Sequence, residues 1–105
     1  FNGQLKTKDN LTPHEFSLKQ NYPNPFNPVT KIQYELPIET IVNANIYNLK
    51  GEIVKSLLST VQAAGYKEII WRGESNSGSI VPAGIYILSL QTEKNYSSKK
   101  MILLK

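Results

Sequence analysis

The chain has 105 residues, a hydrophobic fraction of 40%, a charged fraction of 19%, a net charge of +4 and no cysteine. That length supports one compact core, the composition is that of a folding chain rather than a disordered one, and the missing cysteines exclude a disulfide framework and a thiolate zinc site. No apolar run approaches the roughly 20 residues needed to span a bilayer, and the first residues carry no signal-peptide pattern. A start on Phe1 rather than Met reads as a piece cut from a longer protein, with any export signal upstream.

The positive charge does not point to nucleic acid. All but one of the twelve basic residues are scattered lysines, Arg72 being the exception, whereas base and phosphate recognition gathers arginines on one face. Only the tail is locally basic, with Lys94, Lys99, Lys100 and Lys105 against Glu93. Lysines on a strand face also guard a sheet edge against aggregation.

Residues 1–15 hold polar and turn-forming types without a period of 2 or 3.6 and read as a linker. The folded domain is expected over residues 16–105. Seven β-type runs follow, at Phe16–Gln20, Lys31–Leu36, Ile41–Tyr47, Ile53–Leu58, Tyr66–Trp71, Ile85–Thr92 and Tyr96–Leu104. Alternation places Ile32, Tyr34 and Leu36 on one face, Val42, Ala44 and Ile46 on another, and Tyr86, Leu88 and Leu90 on a third. Between Glu52 and Ala64 a helix competes, but β-branched residues and the Ala64-Gly65 turn favour a strand and a loop. Asn48-Leu49-Lys50-Gly51 reads as a hairpin turn, Gly73–Gly78 as a polar loop, and Glu93-Lys94-Asn95 as a second tight turn. The fold class is therefore all-β, an antiparallel sandwich of about seven strands.

Catalytic chemistry is hard to build from these residues. His14 is the single histidine and falls in the linker, so no histidine triad or histidine metal cluster forms around it. A carboxylate pair of the glycosidase type would have to come from Glu35, Glu39 and Glu68. No glycine-rich loop precedes a helix to cradle phosphate. Tyr34, Tyr86 and Trp71 occupy alternating core-type positions, which favours packing over a sugar-stacking platform. The sequons at Asn10 and Asn95 would matter only in a eukaryotic secretory pathway. No enzyme activity, cofactor or metal is expected.

Three segments are more particular. They are Asn21-Tyr22-Pro23-Asn24-Pro25-Phe26-Asn27-Pro28, then Trp71-Arg72-Gly73 through Pro82-Ala83-Gly84-Ile85-Tyr86, then Lys99-Lys100-Met101-Ile102-Leu103-Leu104-Lys105. In that order they resemble the type A C-terminal sorting domain of proteins exported by the type IX secretion system of Bacteroidetes, over about residues 16–105. The related immunoglobulin-like domain of flagellar hook scaffolding proteins shares the pattern. Both commonly hold Asp where this chain has Arg72 and Ser75, so a calcium or Asx-turn role of that loop does not carry over.

The resemblance implies an immunoglobulin-like fold and a removable address label without catalysis. Its partners would be an outer-membrane type IX translocon and a sortase-like signal peptidase that cuts within residues 1–20 and often joins the cargo to lipopolysaccharide. The destination would be the cell surface or the medium, by way of the periplasm. Lys99, Lys100, Met101, Leu103 and Lys105 are the recognition candidates, because the last run is apolar on both faces and bracketed by lysines. Asn24, Pro25, Phe26, Asn27, Pro28, Trp71, Gly73, Gly84 and Tyr86 are expected to build the scaffold, with the proline-rich segment either a stiff turn or a recognised element. A passive accessory or carbohydrate-binding module, and a self-assembling scaffold, are the other functional classes open to the same fold. The oligomeric state is left open.

Overall fold

A computed structural model of the chain describes residues 12–104. Seven strands follow one another: β1 (Ser17–Leu18), β2 (Thr30–Leu36), β3 (Thr40–Tyr47), β4 (Ile53–Gln62), β5 (Gly65–Trp71), β6 (Gly84–Thr92) and β7 (Tyr96–Leu103). They form two antiparallel sheets, β1-β2-β5 and β4-β3-β6-β7. This is the expected immunoglobulin-like sandwich, and no helix occurs among the described residues.

Alternation drives the core. Ile32, Tyr34 and Leu36 from β2 meet Val42, Ala44 and Ile46 from β3 and Tyr86, Leu88 and Leu90 from β6, all buried. At about 25 cal/mol per Å² of apolar surface removed from water, this inner layer is the main driving force for folding. Trp71, Phe26, Met101 and Leu103 close the layer at one end.

Three details differ from the expected elements. Strand β4 runs on to Gln62, where a loop was expected after Leu58, because β3 from Thr40 to Ala44 offers it a continuous antiparallel partner. Register shifts at Ala44/Asn45 and Ile46/Tyr47 disturb its alternation, as bulges do. Strand β1 keeps only Ser17–Leu18 of the expected Phe16–Gln20. Of the expected linker, residues 1–11 lie outside the described range, while residues 12–15 carry no strand and include a buried Pro13.

The outer faces of the sheets differ in kind. On the three-stranded sheet Lys31, Gln33 and Glu35 stand opposite Ile70, Glu68 and Tyr66, and Lys19 Nζ reaches Glu35 at 3.1 Å. On the four-stranded sheet the register aligns Ser59, Asn43, Gln91 and Tyr96 in one row and Ser56, Asn45, Ser89 and Ser98 in the next. Amide and hydroxyl groups replace charges there.

Candidate functional site

Strand β7 is an edge strand, and such an edge leaves backbone donors and acceptors open to foreign pairing. The proline-rich segment closes it. Tyr22 exchanges two backbone hydrogen bonds of 2.9 Å with Lys31 on β2. Four residues on, the Phe26 N–H donates to the Ile102 carbonyl (2.9 Å) and the Leu104 N–H donates to the Phe26 carbonyl (2.8 Å). The segment thus crosses from one sheet to the other and covers the end of the β7 edge at Ile102–Leu104.

Side chains complete the seal. Ile102 N–H donates to Asn24 Oδ1 at 2.9 Å, and Gln20 Nε2 donates to the Lys100 carbonyl at 2.9 Å. Beneath, the buried Asn21 donates through Nδ2 to Thr30 Oγ1 (2.9 Å) and to the Pro23 carbonyl (3.2 Å), which also accepts from Thr30 Oγ1 (2.8 Å). Buried polar groups are expensive unless satisfied, and this knot satisfies them while the prolines withhold competing donors. Pro25 and Pro28 are exposed at the surface of the turn, as is Asn27 between Phe26 and Pro28.

The ring of Phe26 continues into an aromatic stack. Its centroid lies 5.7 Å from that of Trp71, and Trp71 lies 5.5 Å from Tyr86 in an edge-to-face contact, within the favourable range for aromatic pairs. Both polar handles are used: Trp71 Nε1 donates to the Glu74 carbonyl (2.8 Å) and the Tyr86 hydroxyl to the Pro82 carbonyl (2.6 Å). Gly73 passes so close that a Cβ would meet the Pro28 carbonyl oxygen at 3.3 Å and Leu103 Cδ2 at 3.7 Å. The three sequence segments therefore form one corner, with the proline-rich turn above, the aromatic stack within and β7 at its side.

The polar loop beyond Gly73 serves the opposite edge. Asn76 N–H donates to the Val54 carbonyl (3.0 Å) and Ser56 N–H donates to Asn76 Oδ1 (2.9 Å), which covers part of β4. Gly84 opens β6 at the loop's far end and is exposed.

The recognition candidates divide by position. Met101 and Leu103 are buried at 0% and 3% exposure and belong to the core, so their side chains are closed to a partner in the folded domain. Lys99, opposite Leu88, is half-buried, whereas Lys100, opposite Ile87, is exposed. Ile102 is half-buried and Leu104 half-exposed, and Lys105 lies outside the described residues. Of the carboxylates considered for a catalytic pair, Glu35 is held by Lys19, Glu68 stands opposite Gln33, and Glu39 lies in the turn before β3. His14 is exposed and Asn10 lies outside the described range. Exposed Tyr22, Tyr66 and Tyr96 sit on separate elements and make no row for sugar stacking.

Among the described residues no group of three or more His, Cys, Asp or Glu could hold a metal ion. The hollows are shallow: about 140 Å³ between Phe16, Leu36 and Thr92, about 130 Å³ between Gln33 and Tyr66, and about 280 Å³ between the β3–β4 turn and Ala83–Tyr86. All fall short of the roughly 300–1,000 Å³ of small-molecule sites. Burial raises Tyr34 above its ordinary pKa, partly offset by its hydrogen bond to Gln62, and burial raises Tyr86 as well. Each shift reflects a core position rather than tuned chemistry. The corner positions a strand.

Sequence reasoning gave Gln20 and Thr30 no part in the corner and took Asn21 only as the first residue of the proline-rich segment. Asn21 and Thr30 bond locally, to each other and to Pro23, whereas the partner of Gln20, Lys100, lies 80 residues on.

Comparison with known proteins places this architecture. The profile of the FlgD Ig-like domain family matches residues 29–95. Among solved structures, FlgD from P. aeruginosa is 30% identical with a TM-score of 0.55, over 70% of this chain and 57% of that one. Dimeric latent PorU from Porphyromonas gingivalis has a TM-score of 0.66 at 20% identity, over 86% of this chain and 9% of that one. PorZ, an essential bacterial surface component of the type-IX secretion system of the same organism, has a TM-score of 0.56 at 16% identity, over 86% of this chain and 11% of that one. The chain thus spans a small part of PorU and PorZ and somewhat over half of FlgD; with PorU and PorZ it shares the fold alone. No curated protein matches the sequence. No helix among the described residues is long and apolar enough to cross a membrane.

Proposed function

Because the chain belongs to the FlgD Ig-like domain family, we propose that it is a non-catalytic domain of that fold which serves as a type IX sorting label. In this reading it directs an attached cargo to an outer-membrane translocon and then to a sortase-like signal peptidase. The observation that carries the reading is the convergence of the three sorting-domain segments on one corner around β7. The family profile matches residues 29–95, which leaves both the proline-rich turn and the lysine-bracketed strand β7 outside the match. The presence of the same fold in PorZ, a surface component of that secretion system, supports the reading. The exposed part of the label around Lys100 is the surface it offers, while Lys99 and Lys105 add local positive charge. Processing would fall within residues 1–20, and the cargo would finish on the cell surface or in the medium.

The test is export. A reporter with a cleavable signal peptide is fused ahead of the full chain and expressed in paired hosts that differ only in possession of a type IX translocon. Surface or extracellular reporter in the competent host, and periplasmic reporter in its pair, is the expected result. Equal distribution in both hosts would refute the reading.

One observation favours a second reading. The 30% identity to FlgD is compatible with a self-assembling scaffold, for which the purified chain would associate with itself in a concentration-dependent way. A sorting label would sediment as a monomer.

A further inference from the structure

The outer face of the four-stranded sheet carries one charge across its outward strand positions, that of Lys100. Beside the polar rows runs an apolar band. Ile53, Tyr47 and Ile87 stand in register across β4, β3 and β6 and lead to Lys100 on β7, and Ile85 pairs with Ile102 in the next row. Ile53 is 52% exposed and Ile85 37%. The band runs into the hollow of about 280 Å³ beneath the β3–β4 turn, where Leu49 is exposed. The other sheet differs in that its exposed Ile70 and Tyr66 each stand opposite a charged residue, Lys31 and Glu35, with Glu68 on the same face. A contiguous apolar patch of this kind marks an interaction surface.

Two features define what covers it. The backbone edge of β7 beyond Lys100 is already bonded to Asn24 and Phe26, so an incoming strand cannot add beside the apolar band on that stretch, and the side chains of the face are what the band offers there. Lys100, in turn, lies at the end of the apolar band with no carboxylate at any outward position of the sheet. Covering it with an apolar surface alone would strip water from an unpaired ammonium, a costly step. A second copy of this face supplies no acid on its strands, and its Glu52, which lines the hollow beside Lys50, already accepts from Asn48 Nδ2 at 2.8 Å. The fitting occupant has an apolar centre and a carboxylate facing Lys100.

We propose that this band is the docking face of the domain, and that its occupant is a folded protein surface, apolar at its centre, with a carboxylate opposite Lys100. The proposal rests on the sorting-label reading, under which that protein belongs to the translocation machinery.

The full chain, fused to an exported reporter, is compared with Lys100→Glu, Lys100→Arg and Ile85→Glu on this face and with Glu68→Lys on the opposite sheet. Melting is measured on every variant. Lys100→Glu and Ile85→Glu are expected to lower surface export by about tenfold or more, because each sets an unpaired carboxylate against the occupant's carboxylate or its apolar centre, while Lys100→Arg and Glu68→Lys export like the parent. Should Ile85→Glu melt early, Lys100→Glu at its exposed position carries the decision. Parental export of Lys100→Glu with parental melting overturns the docking face while leaving the label reading intact. Failure of the unmodified chain to export removes the label reading and the proposal with it. Sedimentation of the purified chain adds a separate check: self-association abolished by Lys100→Glu would assign the face to a second copy and overturn the proposed occupant.

Discussion

The side-chain oxygen of Asn24 accepts the backbone N–H of Ile102 at 2.9 Å, across 78 residues of sequence. With the paired backbone bonds of Phe26 to Ile102 and Leu104, it makes the proline-rich turn a surrogate neighbour for β7. Sheet edges that lack such a neighbour invite foreign strands.

Replacing that oxygen tests the clasp. Asn24→Ala leaves the Ile102 N–H without its partner and is expected to cost about 1–2 kcal/mol, the range for a polar group left unsatisfied. Hydrogen exchange is the sharper readout: the Ile102 and Leu104 amides should exchange faster while amides of β3 keep their protection. Unchanged protection at Ile102 would show that the clasp is held by Phe26 alone.

The aromatic stack should dominate stability. Trp71→Ala empties a fully buried site and is expected to cost about 3–5 kcal/mol, enough to unfold a marginal domain. Tyr86→Phe keeps the ring contact and loses the bond to the Pro82 carbonyl, so a loss of only about 1 kcal/mol is expected. Chemical denaturation of both variants orders them; comparable losses would contradict the division between ring and hydroxyl.

Two glycines with left-handed backbones separate strain from space. Gly51 has φ of 83° with nothing within 4 Å of an added Cβ, while Gly73 has φ of 72° and the Pro28 carbonyl oxygen at 3.3 Å. Gly51→Ala should cost about 1 kcal/mol from backbone conformation alone. Gly73→Ala should cost about 2–3 kcal/mol, because the turn must also shift. Equal melting points for the two variants would mean that the approach of Gly73 to Pro28 relaxes freely.

Much of this was legible in the sequence, and the reasons are local. The strict alternation of Ile32, Tyr34 and Leu36, and of Val42, Ala44 and Ile46, declares half-buried strands without reference to anything distant. Strand β4 was harder to bound, because bulges break its alternation and its partner decides where it ends. The clasp could not be read at all: Asn24 looks like an ordinary turn residue until Ile102 is beside it. Met101 and Leu103 are a related case. Apolar residues on both faces of the last run mark them as candidates for contact, yet only the sheet's register says that they point inward while Lys100 and Ile102 point out.

Alkaline pH should loosen the fold through its buried tyrosines. Burial raises Tyr34 and Tyr86 above the ordinary value of 10.0, so the unfolded chain releases these protons first. Stability from this source is fully present below about pH 10 and is lost as pH climbs toward the raised folded values. Tyr86→Phe should remove part of that slope. Denaturant midpoints compared between about pH 9 and pH 11 measure it; a parent slope identical to that of Tyr86→Phe would locate the alkaline sensitivity elsewhere.

The most direct measurement of the central claim pairs export with melting in a single double variant, Lys100→Gln with Lys105→Gln, in the full chain behind a reporter. Deleting Lys99–Lys105 would not serve, because it removes Met101 and Leu103 from the core and misfolding would imitate a lost signal. The double substitution keeps the core intact and is expected to alter stability by only about 0.5 kcal/mol. If the basic β7 region is read by the secretion machinery, surface export in a type IX host falls while the melting temperature stays with the parent. Export and melting both equal to the parent would give these lysines no part in recognition and contradict the account.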